Sequence, residues 1–169
     1  MKLLIIRHAI AEDQEEWAKT GNSDDARPLT TKGERRMARV ARGLHTVVDS
    51  IDVLAASPLV RAQQTAAIIA AEYGDQPIET TPVLVPETSL VDFMGWLTER
   101  AEQAVVAVVG HEPHLGVLAT WLLIGVQESR VELKKGAACL IQFDEPPKAG
   151  AGRLRWSLSP AHLRVLGRD

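Results

Sequence analysis

Four side chains suited to meeting an anion stand at the ends of apolar runs in this chain. Arg7 and His8 close the run in "LLIIRHAIAE" (3–12), and His111 closes "AVVAVVGH" (104–111). Arg61 lies inside "SPLVRAQQTA" (57–66), just after the run "DVLAAS", and Glu87 follows "IETTPVLV" (78–85). Two guanidiniums can fork onto the oxygens of a phosphoryl group. A neutral imidazole placed behind the phosphorus can attack it in line. Neighbouring cations disfavour the imidazolium, so Arg7 and Arg61 would hold His8 deprotonated as well as hold the transferring group.

The elements that must deliver these residues alternate between strand and helix. "KLLII" and "AVVAVVG" are short continuous apolar runs of the kind buried in parallel sheets, and "DVLAAS" is a third. "IETTPVLV" is a further strand, with Pro82 marking an edge or a break. Thr31 and Glu34 have capping-box spacing at the head of an amphipathic helix carrying Met37, Val40, Ala41, Leu44, Val47 and Val48. Ser57 and Pro58 read as N-cap and first position of a helix through "LVRAQQTAAIIAAEY" that stops at Gly74. "SLVDFMGWLTERAEQ" is a weaker helix, and Pro113 opens another through "HLGVLATWLLIG". The segment "EEWAKTGNSDDARPL" reads as a loop with one helical turn. "AACLIQF" and "RLRWSLS" read as two strands joined by the Pro- and Gly-rich "DEPPKAGAG" as a hairpin.

Alternation of this kind predicts a three-layer α/β/α sandwich with a mostly parallel central sheet and a C-terminal hairpin, formed by residues 1–169 as one domain. In such a sheet Arg7, His8, Arg61, His111 and Glu87 all emerge at the carboxyl ends of the strands, where open α/β sheets build their sites. Helix starts near Ser57 and Pro113 would add backbone N–H donors for an anion.

The bulk composition restricts the partners. The 169 residues carry a net charge of −3, with 46% hydrophobic and 24% charged residues, which points away from a nucleic-acid protein without excluding a local basic pocket. The single cysteine, Cys139, allows no internal disulfide and fits a reducing compartment. The N-terminal apolar run is too short for a signal peptide, and no stretch approaches the roughly 20 residues that span a bilayer. A soluble, cytoplasmic protein with no membrane partner is expected.

The words "RHA" (7–9), "DDARPLTTKG" (24–33), "SPLVRAQQTA" (57–66) and "VVGHEPHL" (108–115), in this order, resemble the histidine phosphatase superfamily, also called phosphoglycerate-mutase-like. With the short chain, they resemble its SixA branch, the small protein-phosphohistidine phosphatases. The likeness covers about residues 1–125. It implies a phosphatase in which His8 becomes a phosphohistidine, Arg7 and Arg61 bind the phosphoryl group, and His111 touches the same oxygens. It implies no metal and no organic cofactor. Larger members place a proton-donating acid near the position of Glu87, an equivalent the SixA branch often lacks. Glu87 is therefore the acid, an assistant to the attacking water, or a surface residue. The resemblance favours a phosphorylated protein as substrate, a histidine phosphotransfer domain being one candidate, and the short strand-to-helix connections agree. A small phosphoester is the alternative, and a non-catalytic phosphate- or phosphoprotein-binding module is the alternative of another class.

Other residues have plainer explanations. His111 and His114 are three apart, but Pro113 lies between them and no HExxH spacing or carboxylate cluster accompanies them, so a metal site is disfavoured and His114 is structural or at a rim. Asp24 and Arg27 are loop chemistry or, as the resemblance suggests, an ion pair pinning the loop beside the site. Cys139 and Trp121 read as packing. Trp96 is core or pocket rim, with core favoured. "ERRMARVAR" reads as a solvated helix face.

Overall fold

The computed structural model describes residues 1–168. One six-stranded sheet runs through the molecule in the order β3-β2-β4-β1-β5-β6. Its strands are β1 (Lys2–Arg7), β2 (Val53–Ala56), β3 (Ile78–Thr80), β4 (Val105–Gly110), β5 (Ala138–Gln142) and β6 (Arg153–Leu158). The first four are parallel, and β5 and β6 form an antiparallel hairpin on the β1 side. Among the described residues six α-helices accompany the sheet: α1 (Gln14–Ala18), α2 (Thr31–His45), α3 (Val60–Glu72), α4 (Leu90–Thr98), α5 (His114–Ile124) and α6 (Pro160–Leu166).

The period of the strands builds the three layers. Successive residues of β1 point to opposite faces. Leu4 and Ile6 join Met37, Val40, Leu44, Ile69 and Leu163 from α2, α3 and α6 in one core. Leu3 and Ile5 join Phe93, Leu97, Leu115, Leu118 and Leu122 from α4 and α5 in the other. All six residues of β4 are buried, as a strand covered on both faces requires.

Three boundaries and one further helix depart from the sequence pattern. The cap of α2 is Thr30, not Thr31: its Oγ1 accepts from Gly33 N at 2.9 Å, so the capping-box register is one residue earlier and Glu34 plays no part. Helix α3 begins at Val60 behind Leu59, with no side-chain cap, so Ser57 is not its N-cap. The strand at 78–85 stops at Thr80, and Pro82 opens a short 3₁₀ turn, Pro82–Leu84. Helix α6 lies beyond the last strand of the sequence pattern, yet Ser159 and Pro160 carry the same signal as Ser57 and Pro58, and here the Ser159 side chain does accept from His162 N.

Glycine is required where α2 begins. A Cβ at Gly33 would lie 2.0 Å from the Ile10 carbonyl oxygen, so only glycine lets the helix start abut the loop that leaves β1. Thr30 N donates to the same carbonyl at 3.0 Å, which joins that loop to the helix.

Candidate active site

The sheet register sets the site. Arg7 pairs with Gly110 across β1 and β4, and Ala56 of β2 pairs with Val109. His8, Ser57 and His111 are each the next residue or next but one, so three neighbouring strands release them side by side. The His8 and His111 rings lie 5.1 Å apart, centre to centre, tilted by 52°. His8 and Arg61 are 5% exposed and His111 2%.

The tautomer of His8 follows from its partner. Nδ1 lies 2.7 Å from the carbonyl oxygen of Ala9, an acceptor only, so Nδ1 carries the proton and donates it. The lone pair is left on Nε2, which has no hydrogen-bond partner among the described residues and is not fully enclosed. Ala9 is itself held: its N–H donates to Thr65 Oγ1 at 3.0 Å, and that hydroxyl donates to the Arg61 carbonyl at 2.7 Å. His111 Nε2 meets Ser57 Oγ at 2.9 Å.

The two arginines are fixed at their tips. Arg7 Nη1 donates to the Leu133 carbonyl at 2.7 Å. Arg61 Nη1 donates to the Asp24 carbonyl at 2.8 Å, and its Nη2 lies 3.1 Å from Asp24 Oδ2. The other oxygen of Asp24 accepts from Arg27 Nε at 2.7 Å. Asp24 therefore ties Arg27 and Arg61 together, and the Arg27 bond holds its carboxyl below the usual carboxylate range. Arg7 Nε, Arg61 Nε and His111 Nδ1 are buried with no partner among the described residues. Buried polar atoms are seldom left unpaired, and here three fall on residues lining one cavity of about 480 Å³.

Burial pushes His8 down to about 3, and Arg61, Arg7 and Lys135 add to the effect. His111 is likewise pushed down to about 3, by burial first and then by His8 and Arg61. The sequence pattern attributed the depression of His8 to the arginines; burial is the larger cause. Both rings are neutral at pH 7. The same cavity is lined by Lys135, Glu12, Asp13 and Glu112. The Glu112 carboxylate accepts from Leu133 N at 2.8 Å and Gly116 N at 3.1 Å, so it anchors the segment that holds Arg7.

Arg7, His8, Arg61 and His111 are thus brought together. Glu87 is not: it is exposed and lines a separate recess of about 430 Å³ with His114 and Pro113. Sequence reasoning missed Ser57, taken for a helix cap, and Thr65, Glu112 and Lys135. Ser57 and Thr65 lie within "SPLVRAQQTA" and Glu112 within "VVGHEPHL"; only Lys135 had no motif to mark it. Asp24 and Arg27 do form the ion pair beside the site. Cys139 is buried core, and Trp96 packs in the core with its Nε1 on Glu79.

Residues 3–104 match the family model of the histidine phosphatase superfamily (branch 1). The chain belongs to that superfamily. As a histidine phosphatase it is a phosphoryl hydrolase, and the chemistry of the superfamily runs without a metal ion. The phosphohistidine phosphatase SixA of Escherichia coli (strain K12) is 31% identical over 176 residues, covering 98% of both chains. An uncharacterized protein of Picosynechococcus sp. is 41% identical over 138 residues, 80% of this chain and 81% of its own. The solved structure of the protein histidine phosphatase SixA complexed with tungstate superposes with a TM-score of 0.82 at 28% identity, over 96% of this chain and 99% of that one. The alpha-ribazole phosphatase of Shigella flexneri shares the fold, with a TM-score of 0.72 at 20% identity over 95% and 97% of the two chains. Among the described residues no group of three or more His, Cys, Asp or Glu could hold a metal, and no helix is long and apolar enough to cross a membrane.

Proposed function

We propose that this histidine phosphatase removes the phosphoryl group from a phosphohistidine on another protein, with residues 1–169 acting as one domain in the cytoplasm. The observation that carries the chemistry is the His8 ring: Nδ1 keeps its one proton and donates it in a hydrogen bond to the Ala9 carbonyl, and Nε2 keeps a lone pair in a cavity shared by two buried arginines. Nε2 attacks phosphorus and the bond from phosphorus to the substrate nitrogen breaks. The bonding pair leaves with the substrate imidazole, whose other ring nitrogen takes a proton from solvent, so the leaving group departs neutral. Arg7 Nε and Arg61 Nε are free to donate to the phosphoryl oxygens, and His111 adds a polar contact from the opposite ring. Water then attacks phosphorus, releasing phosphate and restoring His8.

A departing imidazole needs less proton donation than an alkoxide. The place of Glu87 in a separate recess agrees with leaving it out of the chemistry. The choice of a phosphoprotein over a small phosphoester is supported by the near full-length likeness to SixA.

The test uses a histidine phosphotransfer domain phosphorylated by phosphoramidate, beside p-nitrophenyl phosphate, each with and without chelator. An acid-labile phosphoryl label should appear on His8 during turnover and be absent from His8→Ala. Arg61→Ala should lower kcat/KM by on the order of 10²–10³, as loss of a preorganised charge does; a loss under about tenfold contradicts its assignment. Faster turnover of the phosphoester than of the phosphodomain would favour the small-molecule reading. Retention of phosphate with no turnover of either would favour a binding module.

A further inference from the structure

Helices α2 and α6 lie unusually close. A Cβ at Gly43 would lie 1.9 Å from the Leu163 carbonyl oxygen, and one at Gly167 would lie 2.2 Å from the Arg39 carbonyl oxygen. The contact merges their outer faces, and those faces are basic. Helix α2 carries Lys32, Arg35, Arg36, Arg39 and Arg42 against the single acid Glu34, and α6 adds Arg164 with no acid. Arg36, Arg39, Arg164 and Arg168 take part in no ion pair among the described residues. Arg164 is depressed by burial and then by Arg36, Arg39 and Arg168, so these cations stand close enough to act on one another.

The band reaches the active site. A small cleft of about 50 Å³ between the β1 loop and α6 is lined by Arg36, Arg164 and Lys135, and Lys135 also lines the catalytic cavity. Unpaired like charges of this kind repel one another and oppose folding, so they are not a device for stability. Helix α2 alone is roughly 22 Å long, which is farther than a small phosphoester can extend from the cavity. The cavity also carries Glu12 and Asp13, with Asp13 close enough to Lys135 to act on its charge, and these carboxylates would repel a continuous polyanion lying across it. A folded protein of mixed surface charge can match both.

We propose that the band from Lys135 through Arg36 and Arg164 to Arg39 is a docking surface for a phosphoprotein with an acidic surface beside its phosphorylated side chain. This rests on the phosphohistidine reading above and adds to it the means by which the protein substrate is chosen. Docking of this kind steers the encounter electrostatically, and salt weakens it.

The experiment compares wild type, Arg36→Glu/Arg39→Glu and the milder Arg36→Gln/Arg39→Gln. The probes are an acidic phosphotransfer domain phosphorylated by phosphoramidate, and free phosphohistidine. The charge reversal should lower kcat/KM for the phosphodomain by about tenfold or more in about 20 mM salt, and by far less in about 500 mM salt. The neutral variant should fall between, and turnover of free phosphohistidine should be unchanged in both. Equal effects on the two probes, or none on the phosphodomain, would overturn the docking surface while leaving the phosphohistidine chemistry standing. Wild type that hydrolyses p-nitrophenyl phosphate but neither phosphohistidine probe would remove the substrate reading, and the docking proposal with it. Loss of binding to duplex DNA or to phosphatidylserine vesicles, with phosphodomain turnover intact, would also overturn the proposal and assign the band to a polyanion.

Discussion

Lowering the pH from 8 to 5 should destabilise this protein through two histidines in particular. His8 and His111 sit at about 3 in the fold, against an ordinary 6.5, because burial disfavours their charged forms. Between 6.5 and 3 the unfolded chain therefore binds protons that the folded chain refuses. Stability falls as pH falls across that window and is independent of these two groups above it. At pH 5 each histidine costs about 2 kcal/mol relative to pH 8, or about 4 kcal/mol for the pair. For a chain of this size that is a fall in Tm of roughly 10 °C. The measurement is urea unfolding at pH 8, 7, 6 and 5 for wild type and for His8→Asn/His111→Asn, the variant subtracting every other titrating group. The wild type should lose about 4 kcal/mol more than the variant over this range. Parallel pH profiles, or imidazole resonances of these two residues that titrate near 6.5, would refute the account of the buried neutral pair.

Two further expectations concern single side chains. Asp24→Asn removes the negative charge that sits on Arg61, and inhibition by inorganic phosphate should tighten roughly fivefold, the equivalent of about 1 kcal/mol for a partly exposed pair; weaker phosphate inhibition would contradict the pairing. Gly33→Ala should destabilise the fold by about 2 kcal/mol despite alanine's better helix propensity, because the new methyl has to displace the Ile10 carbonyl. Thermal unfolding measures this, and an unchanged or raised Tm would show that the β1 loop yields.

Strands β1, β2 and β4 were legible because each is built on a continuous apolar run, whereas β3, Ile-Glu-Thr, has none and was read too long; Arg7, His8, Arg61 and His111 were legible because a parallel sheet delivers every strand end to one edge. Caps were less so. Ser57 followed by Pro58 and Ser159 followed by Pro160 are the same local signal, yet only the second caps a helix. The first serine is taken by His111, a contact 54 residues away that no local pattern encodes. Lys135 was invisible for the same reason: it stands in a connection without periodicity and reaches the cavity through tertiary placement. Glu87, left open as acid, water assistant or surface residue, is exposed. A position just after a strand predicts the correct edge of the sheet, but not which of two adjoining recesses a side chain enters.

The pairing of Arg7 with Gly110 and of Ala56 with Val109 has a consequence for how such a protein can diversify. Because the His8 and His111 imidazoles take their spacing from the backbone ladder, the intervals between strands contribute little to it. Segments such as 12–29 and 126–137 bear instead on the two arginines, through Asp24 and the Leu133 carbonyl. A lineage built on this plan can change how its two arginines are held by rewriting its connections, while the spacing of the two imidazoles is inherited unchanged.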